Sequence, residues 1–244
     1  MGVNSTEKVG PGGFRLDGQI IAVTEAESGY GCSITLRLAE RGARVVVISR
    51  NAAAASRLAS HIEDHGGSAI PIKVDLVSSN EWEQAQSKIL EIFGTLHGVV
   101  HLANQGQASG LAKLNDAEWR DLVESDLSTS LWIAQAIRRH LPETWLTLVA
   151  PAASHASLPV HLLRSALQAL ASHATSENLR VNLLIPTHDS AGEEADRAVS
   201  EVALTLAYPA LHHLRGNSIV IPQEEPKGGE RSPEPGRFRS ARAQ

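Results

Sequence analysis

Residues 151–164 read PAASHASLPVHLLR, which sets Ser154, His155, Ser157, His161 and Arg164 within one short stretch. A serine beside an imidazole can act as a nucleophile activated by a general base, and a nearby guanidinium can hold an anion. The imidazole also needs an acid to orient it, and the stretch has none; Asp126, on an earlier helix, is the acid that could come in. A helix capped by Ser157, with Pro159 in its first turn, accounts for the same residues without chemistry. Residues 20–31, IIAVTEAESGYG, carry a second pattern: an apolar strand, a turn holding Gly29 and Gly31, then a helix. That is the layout of a phosphate-binding loop, where glycines let the backbone approach a diphosphate. Here Glu25 and Glu27 stand where the diphosphate would sit. Two unit charges about 4 Å apart repel by roughly 4 kcal/mol at an effective dielectric of about 20, or about a thousandfold in affinity.

Strands able to place these residues are Gln19–Thr24, Arg44–Ser49, Ala69–Val74, Gly98–Leu102, Trp145–Ala150, Arg180–Ile185 and Asn217–Ile221. They are short and nearly continuous in apolarity, as strands covered on both faces are. Helical patterns fall between them, at Gly31–Arg41, Asn51–His65, Asn80–Phe93, Asp116–Leu141, Pro159–Thr175 and Glu193–Leu206. Gly42 stands where a C-terminal cap belongs. This alternation predicts an α/β fold, a single doubly wound parallel sheet of about seven strands with helices on both faces. The 244 residues are 42% hydrophobic, enough for one such domain over residues 15–222. Residues 1–14 read as a flexible leader, and 223–244, rich in Pro, Gly and charge, as a disordered tail. A net charge of -5 offers no basic field to nucleic acid or an anionic membrane, and no apolar run is long enough to span a bilayer. A cytoplasmic location is expected. The single cysteine, Cys32, excludes an internal disulfide and a cysteine-based zinc site, and no metal is expected.

With these elements in order, FRLDGQIIAVTEAESGYGCSITLRLAERGARVVVISRN resembles the opening of a short-chain dehydrogenase/reductase. The resemblance continues through VDL at Val74–Leu76, VVHLAN at Val99–Asn104, EWRDLVESDL at Glu118–Leu127, RVNLLIP at Arg180–Pro186 and LRGNSIVI at Leu214–Ile221. It implies a Rossmann-like fold with a dinucleotide crevice. The family's Thr-Gly-x-x-x-Gly-x-Gly falls on Thr24 to Gly31; its last two glycines are kept, and its first has become Glu25. Family cofactor contacts would fall on Thr24, Ser28, Gly29, Gly31, Arg50, Asp75 and Asn104. Arg50, ending the second strand region, points to NADP rather than NAD. The family's Asn-Asn-Ala-Gly falls on His101, Leu102, Ala103 and Asn104, with only the alanine kept. These contacts therefore read as vestiges, with no cofactor expected, or NADP if one binds.

Active family members use a serine and a Tyr-x-x-x-Lys pair, with an asparagine on the preceding helix. The asparagine position is Asp126 here, and the serine falls near Ala150 or Pro151. Two registers are open for the pair, Ala156 with Val160 or Val160 with Arg164, and neither holds a tyrosine or a lysine. The chain's two tyrosines are Tyr30 and Tyr208, and only HDSAGEE stands where members carry a long substrate lid. No catalytic residue is assigned; Asp126, His155, His161 and Arg164 are the candidates for a rebuilt site. The family's four-helix dimer interface would fall on helices 126–141 and 159–175. Their apolar faces carry Trp132, Ile133, Ala136 and Ile137, and Leu163, Ala166, Leu167 and Leu170. The expected function is a catalytically degenerate homologue serving as a non-catalytic partner subunit or scaffold in a homo- or hetero-oligomer with a subunit of the same family. The alternatives are an NADP-dependent or other enzyme with a reorganised site, and a non-catalytic nucleotide- or metabolite-binding module.

Overall fold

The computed structural model describes residues 14–27, 29–76, 78–103, 112–121, 126–141, 143–152, 158–174, 179–187 and 193–222. Seven parallel strands form one sheet: β1 (Ile20–Thr24), β2 (Arg44–Ser49), β3 (Ser68–Lys73), β4 (Gly98–Leu102), β5 (Trp145–Val149), β6 (Val181–Pro186) and β7 (Ser218–Ile221). Their order is β3-β2-β1-β4-β5-β6-β7. The helices are α1 (Gly29–Glu40), α2 (Ala52–Asp64), α3 (Ser79–Phe93), α4 (Asp116–Asp121), α5 (Thr129–His140), α6 (Leu158–Ala174) and α7 (Glu193–Ala207), followed by a short 3₁₀ turn at Pro209–Leu211. The expected doubly wound parallel sheet is the observed fold. The leader residues 1–13 and the tail 223–244 lie outside the described residues.

Strand side chains alternate between two cores. Ile21, Val23, Val45, Val47, Val100 and Val149 pack under α1, α2 and α7, while Ala22, Val46, Val99, Leu146 and Leu148 pack under α3, α5 and α6. The interior strands β1, β4 and β5 are buried along their whole length, so their sequences show no polar alternation. Pro71 is tolerated because β3 is an edge strand. Gly42 adopts φ 91°, and the amides of Gly42 and Ala43 reach back to Ala39 O and Leu38 O, closing α1 as expected of a C-terminal glycine. Gly98 admits no side chain: a Cβ would lie 2.1 Å from the Trp145 ring on the neighbouring strand.

One element differs from expectation. Over the single helix predicted at Asp116–Leu141, the described residues carry α4 and α5, with a wider π-type turn at residues 126–128 leading into α5; residues 122–125 lie outside the described residues. The Ser130 hydroxyl donates to the carbonyl of Asp126 at 2.7 Å, and such back-bonding bends helices. Periodicity alone does not register that competition.

Candidate functional site

In sheets of this order, ligands bind beyond the carboxyl ends of the strands where the winding reverses, here between β1 and β4. Thr24, the last residue of β1, is buried, and its hydroxyl oxygen accepts the Leu102 amide at 3.2 Å. The same oxygen lies 2.8 Å from His101 Nδ1, so Thr24 joins β1 to β4 and serves the sheet. His101 is 3% exposed, its Nε2 has no hydrogen-bond partner among the described residues, and burial pushes its pKa down to about 4. The imidazole is therefore neutral at physiological pH.

The turn after β1 is built against anions. Glu25 has φ 49°, the only non-glycine left-handed residue among those described. Its carboxyl is half-buried and pushed above the usual range, first by desolvation and further by the charges of Glu27 and Asp75, with Arg50 opposing. The Ser49 hydroxyl, at the end of β2, donates to Glu27 Oε1 and accepts the Asn51 amide at 2.8 Å. Glu27 Oε2 is buried without a hydrogen-bond partner among the described residues. Gly29 is exposed at the start of α1, Gly31 is buried, and Arg50 and Asp75 are exposed. Ser28 and Asn104 lie outside the described residues.

At the other end of the crevice, Arg164 Nε donates to Pro151 O at 2.9 Å, and Nη2 donates to Ala152 O. Arg164 and Val160, one turn apart on α6, are both buried, whereas His161 is exposed. The inner face of α6 thus carries both Val160 and Arg164; Ala156, which begins the other register, and His155 lie outside the described residues. Asp126 is buried at the entrance to α5. The structure therefore does not assemble His161 with Arg164: one faces solvent, and the other is committed to the backbone after β5. Ala150, Pro151 and Ala152 are all buried. Sequence reasoning missed the Ser49–Glu27 bridge and the Thr24–His101 pair. Each joins residues far apart in the chain, and the only signal in the sequence was a polar residue at the end of each strand.

Residues 19–158 match the family model for short chain dehydrogenases. The chain belongs to the short-chain dehydrogenase family. It is 26% identical over 185 residues to a D-threitol dehydrogenase of Mycolicibacterium smegmatis, an alignment covering 71% of each chain. It is 30% identical over 122 residues to a 3beta-hydroxysteroid dehydrogenase of Mediterraneibacter gnavus, covering 48% of this chain and 44% of that protein. A citronellol catabolism dehydrogenase of Pseudomonas aeruginosa superposes with TM-score 0.74 at 23% identity, over 85% of this chain and 95% of the other, which is a likeness of fold. No helix among the described residues is long and apolar enough to cross a membrane.

The dinucleotide of the short-chain dehydrogenase family does not fit the residues present. The family's first loop glycine serves a tight turn; here the position is left-handed, at φ 49°, and is filled by Glu25. The Glu27 carboxylate, bonded to Ser49, lies at the end of β2, where a dinucleotide ribose is held in folds of this type. The strain at Glu25 is itself testable, because a left-handed non-glycine residue costs about 1–2 kcal/mol. Glu25→Gly should stabilise the chain by about 1 kcal/mol in urea unfolding at pH 7, since it relieves both the strain and a desolvated carboxyl. An unchanged or lowered midpoint would show that the loop holds Glu25 without strain.

Proposed function

We propose that this short-chain dehydrogenase homologue is catalytically degenerate and acts as a non-catalytic partner subunit of an oligomer with another subunit of its family. The reading rests on one observation above the others: the chain has no residue able to act as the family's tyrosine. Tyr30, in the first turn of α1, is 1% exposed and part of the core, and Tyr208 stacks on Phe14 with ring centroids 4.5 Å apart. No lysine falls between Lys113 and Lys227, so the partner that would lower a tyrosine pKa is missing as well. The segment after Pro186 supports the same view, since residues 187–192 alone precede α7 and leave little chain to exclude water from a substrate.

Support for the partner role comes from the outer sides of α5 and α6. Ile133, Ala136, Ile137, Leu163 and Leu167 pack on the sheet, while Leu131, Leu158 and Leu162 are 41%, 42% and 45% exposed. An amphipathic helix covering one core has no need of leucines on its other side, and such residues suit a second helical pair. The test combines two measurements on the purified full chain. NADPH or NADH with a panel of ketones should give no oxidation above the enzyme-free rate. Native mass spectrometry with a catalytically active member from the same source should show a mixed oligomer, which Leu131→Glu/Leu162→Glu loses. Carbonyl reduction at an ordinary rate, or strictly monomeric behaviour with and without the active member, would overturn the proposal.

A further inference from the structure

The geometry points to Glu27 as a built-in occupant of the ligand crevice: held by Ser49 at the end of β2, its carboxylate takes the place of a bound nucleotide and keeps the loop formed without one. The inference rests on the degenerate reading above but goes further, because loss of catalytic residues does not require the crevice to be filled. Four observations carry it. The Ser49 hydroxyl is spoken for on both sides, accepting the Asn51 amide at 2.8 Å and donating to Glu27 Oε1. Glu27 Oε2 is buried, so the carboxylate lies inside the fold and not in solvent. Ala26, between the two glutamates, is fully buried and anchors the turn in the core under α1. Glu25, in its left-handed turn, is half-buried beside Arg50 and adds a second carboxylate at the same mouth.

A nucleotide entering this crevice must displace the Glu27–Ser49 bridge and bring its phosphates beside two carboxylates. The turn after β1 is here braced by its own Glu27 side chain. The Glu27 carboxylate is thus both a block and a brace, and those roles predict opposite changes on its removal: nucleotide affinity rises, while stability without nucleotide falls.

The experiment compares the wild-type chain with Glu27→Gln, Glu25→Gly and Glu25→Gly/Glu27→Ala, using isothermal titration with NADPH and with ADP, and thermal melting with and without each. Wild type should show no binding up to millimolar nucleotide. The double variant should gain about a hundredfold or more in affinity for both probes, melt at a lower temperature than Glu25→Gly alone, and regain that loss when NADPH is added. Glu27→Gln keeps a partner for Ser49 while removing the charge, so it should melt like wild type and show an intermediate gain. It keeps the test decisive if the double variant does not fold. Equal binding by wild type and variants, or folded variants with no gain, overturns the occupant role. Nucleotide binding by the wild-type chain without ketone-dependent NADPH oxidation overturns the occupant role and leaves the degenerate reading standing, whereas such oxidation overturns both, so the two failures are separable.

Discussion

Acidification from pH 7 to pH 4 should destabilise the wild-type chain by up to about 3 kcal/mol more than the His101→Asn chain. The cause is the buried imidazole at the end of β4. In the unfolded chain a histidine takes up its proton near its ordinary value of 6.5, whereas in the folded protein burial holds that uptake back to about 4. Between these values the unfolded state binds more protons than the native state, so stability rises with pH. The contribution of His101 is fully present above pH 6.5, is lost as pH falls through the window, and changes no further below about 4. At about 1.4 kcal/mol per pH unit, that window accounts for the stated difference. His101 faces Thr24, itself neutral, so no carboxylate there offsets the cost of charging it. Glu25 has the opposite sign, since a raised carboxyl favours the native state toward acid, but it is present in both chains and cancels in the comparison. Urea midpoints followed by circular dichroism at half-unit pH steps give the result directly. Parallel curves for the two chains would show that the imidazole is charged or solvated in the native state.

That histidine also marks the limit of what was legible in the sequence. The fold was legible because its signals are local or periodic. Val45 to Ile48 announces a strand covered on both faces, Gly42 closes a helix, and the strand–helix rhythm leaves few ways to wind a parallel sheet. The π-type turn at Asp126 was not legible, because a serine hydroxyl four residues on competes for a backbone carbonyl without disturbing the apolar pattern. The site divides in the same way. Glu25 was visible as a charge at a glycine position, and its left-handed φ follows from the turn that the position must make. The destination of the Glu27 carboxylate was not visible, since it depends on Ser49, 22 residues away, and on the approach of α1 to the end of β2. His161 and Arg164 looked like neighbours in one reactive segment. Residues three apart on a helix are offset by only about 60°, but the edge of the buried side of α6 runs between these two, leaving His161 in solvent and Arg164 bonded to the backbone after β5.

Arg164 supplies the second large effect. Arg164→Met should cost about 3 kcal/mol of stability, and Arg164→Lys about half of that, even though lysine is the family's residue here in one of the two registers that the resemblance leaves open. The guanidinium donates through Nε to Pro151 O and through Nη2 to Ala152 O, holding the backbone just beyond β5. Both acceptors belong to buried residues, and a buried carbonyl left without a donor costs about 1–3 kcal/mol. Methionine preserves most of the packing of the aliphatic stem, so its effect reports the two lost hydrogen bonds. A lysine ammonium is a point donor on a flexible stem and cannot reproduce two bonds diverging from a planar fork. Denaturation midpoints of the three chains measure the order Arg, Lys, Met. If Lys equals Arg, the backbone after β5 does not depend on the fork. If the expected order holds, the arginine has become a structural clamp. Building the family pair in the second register by Val160→Tyr/Arg164→Lys should then lower stability and still give no ketone reduction, because the crevice it would serve is filled at its other end by Glu27.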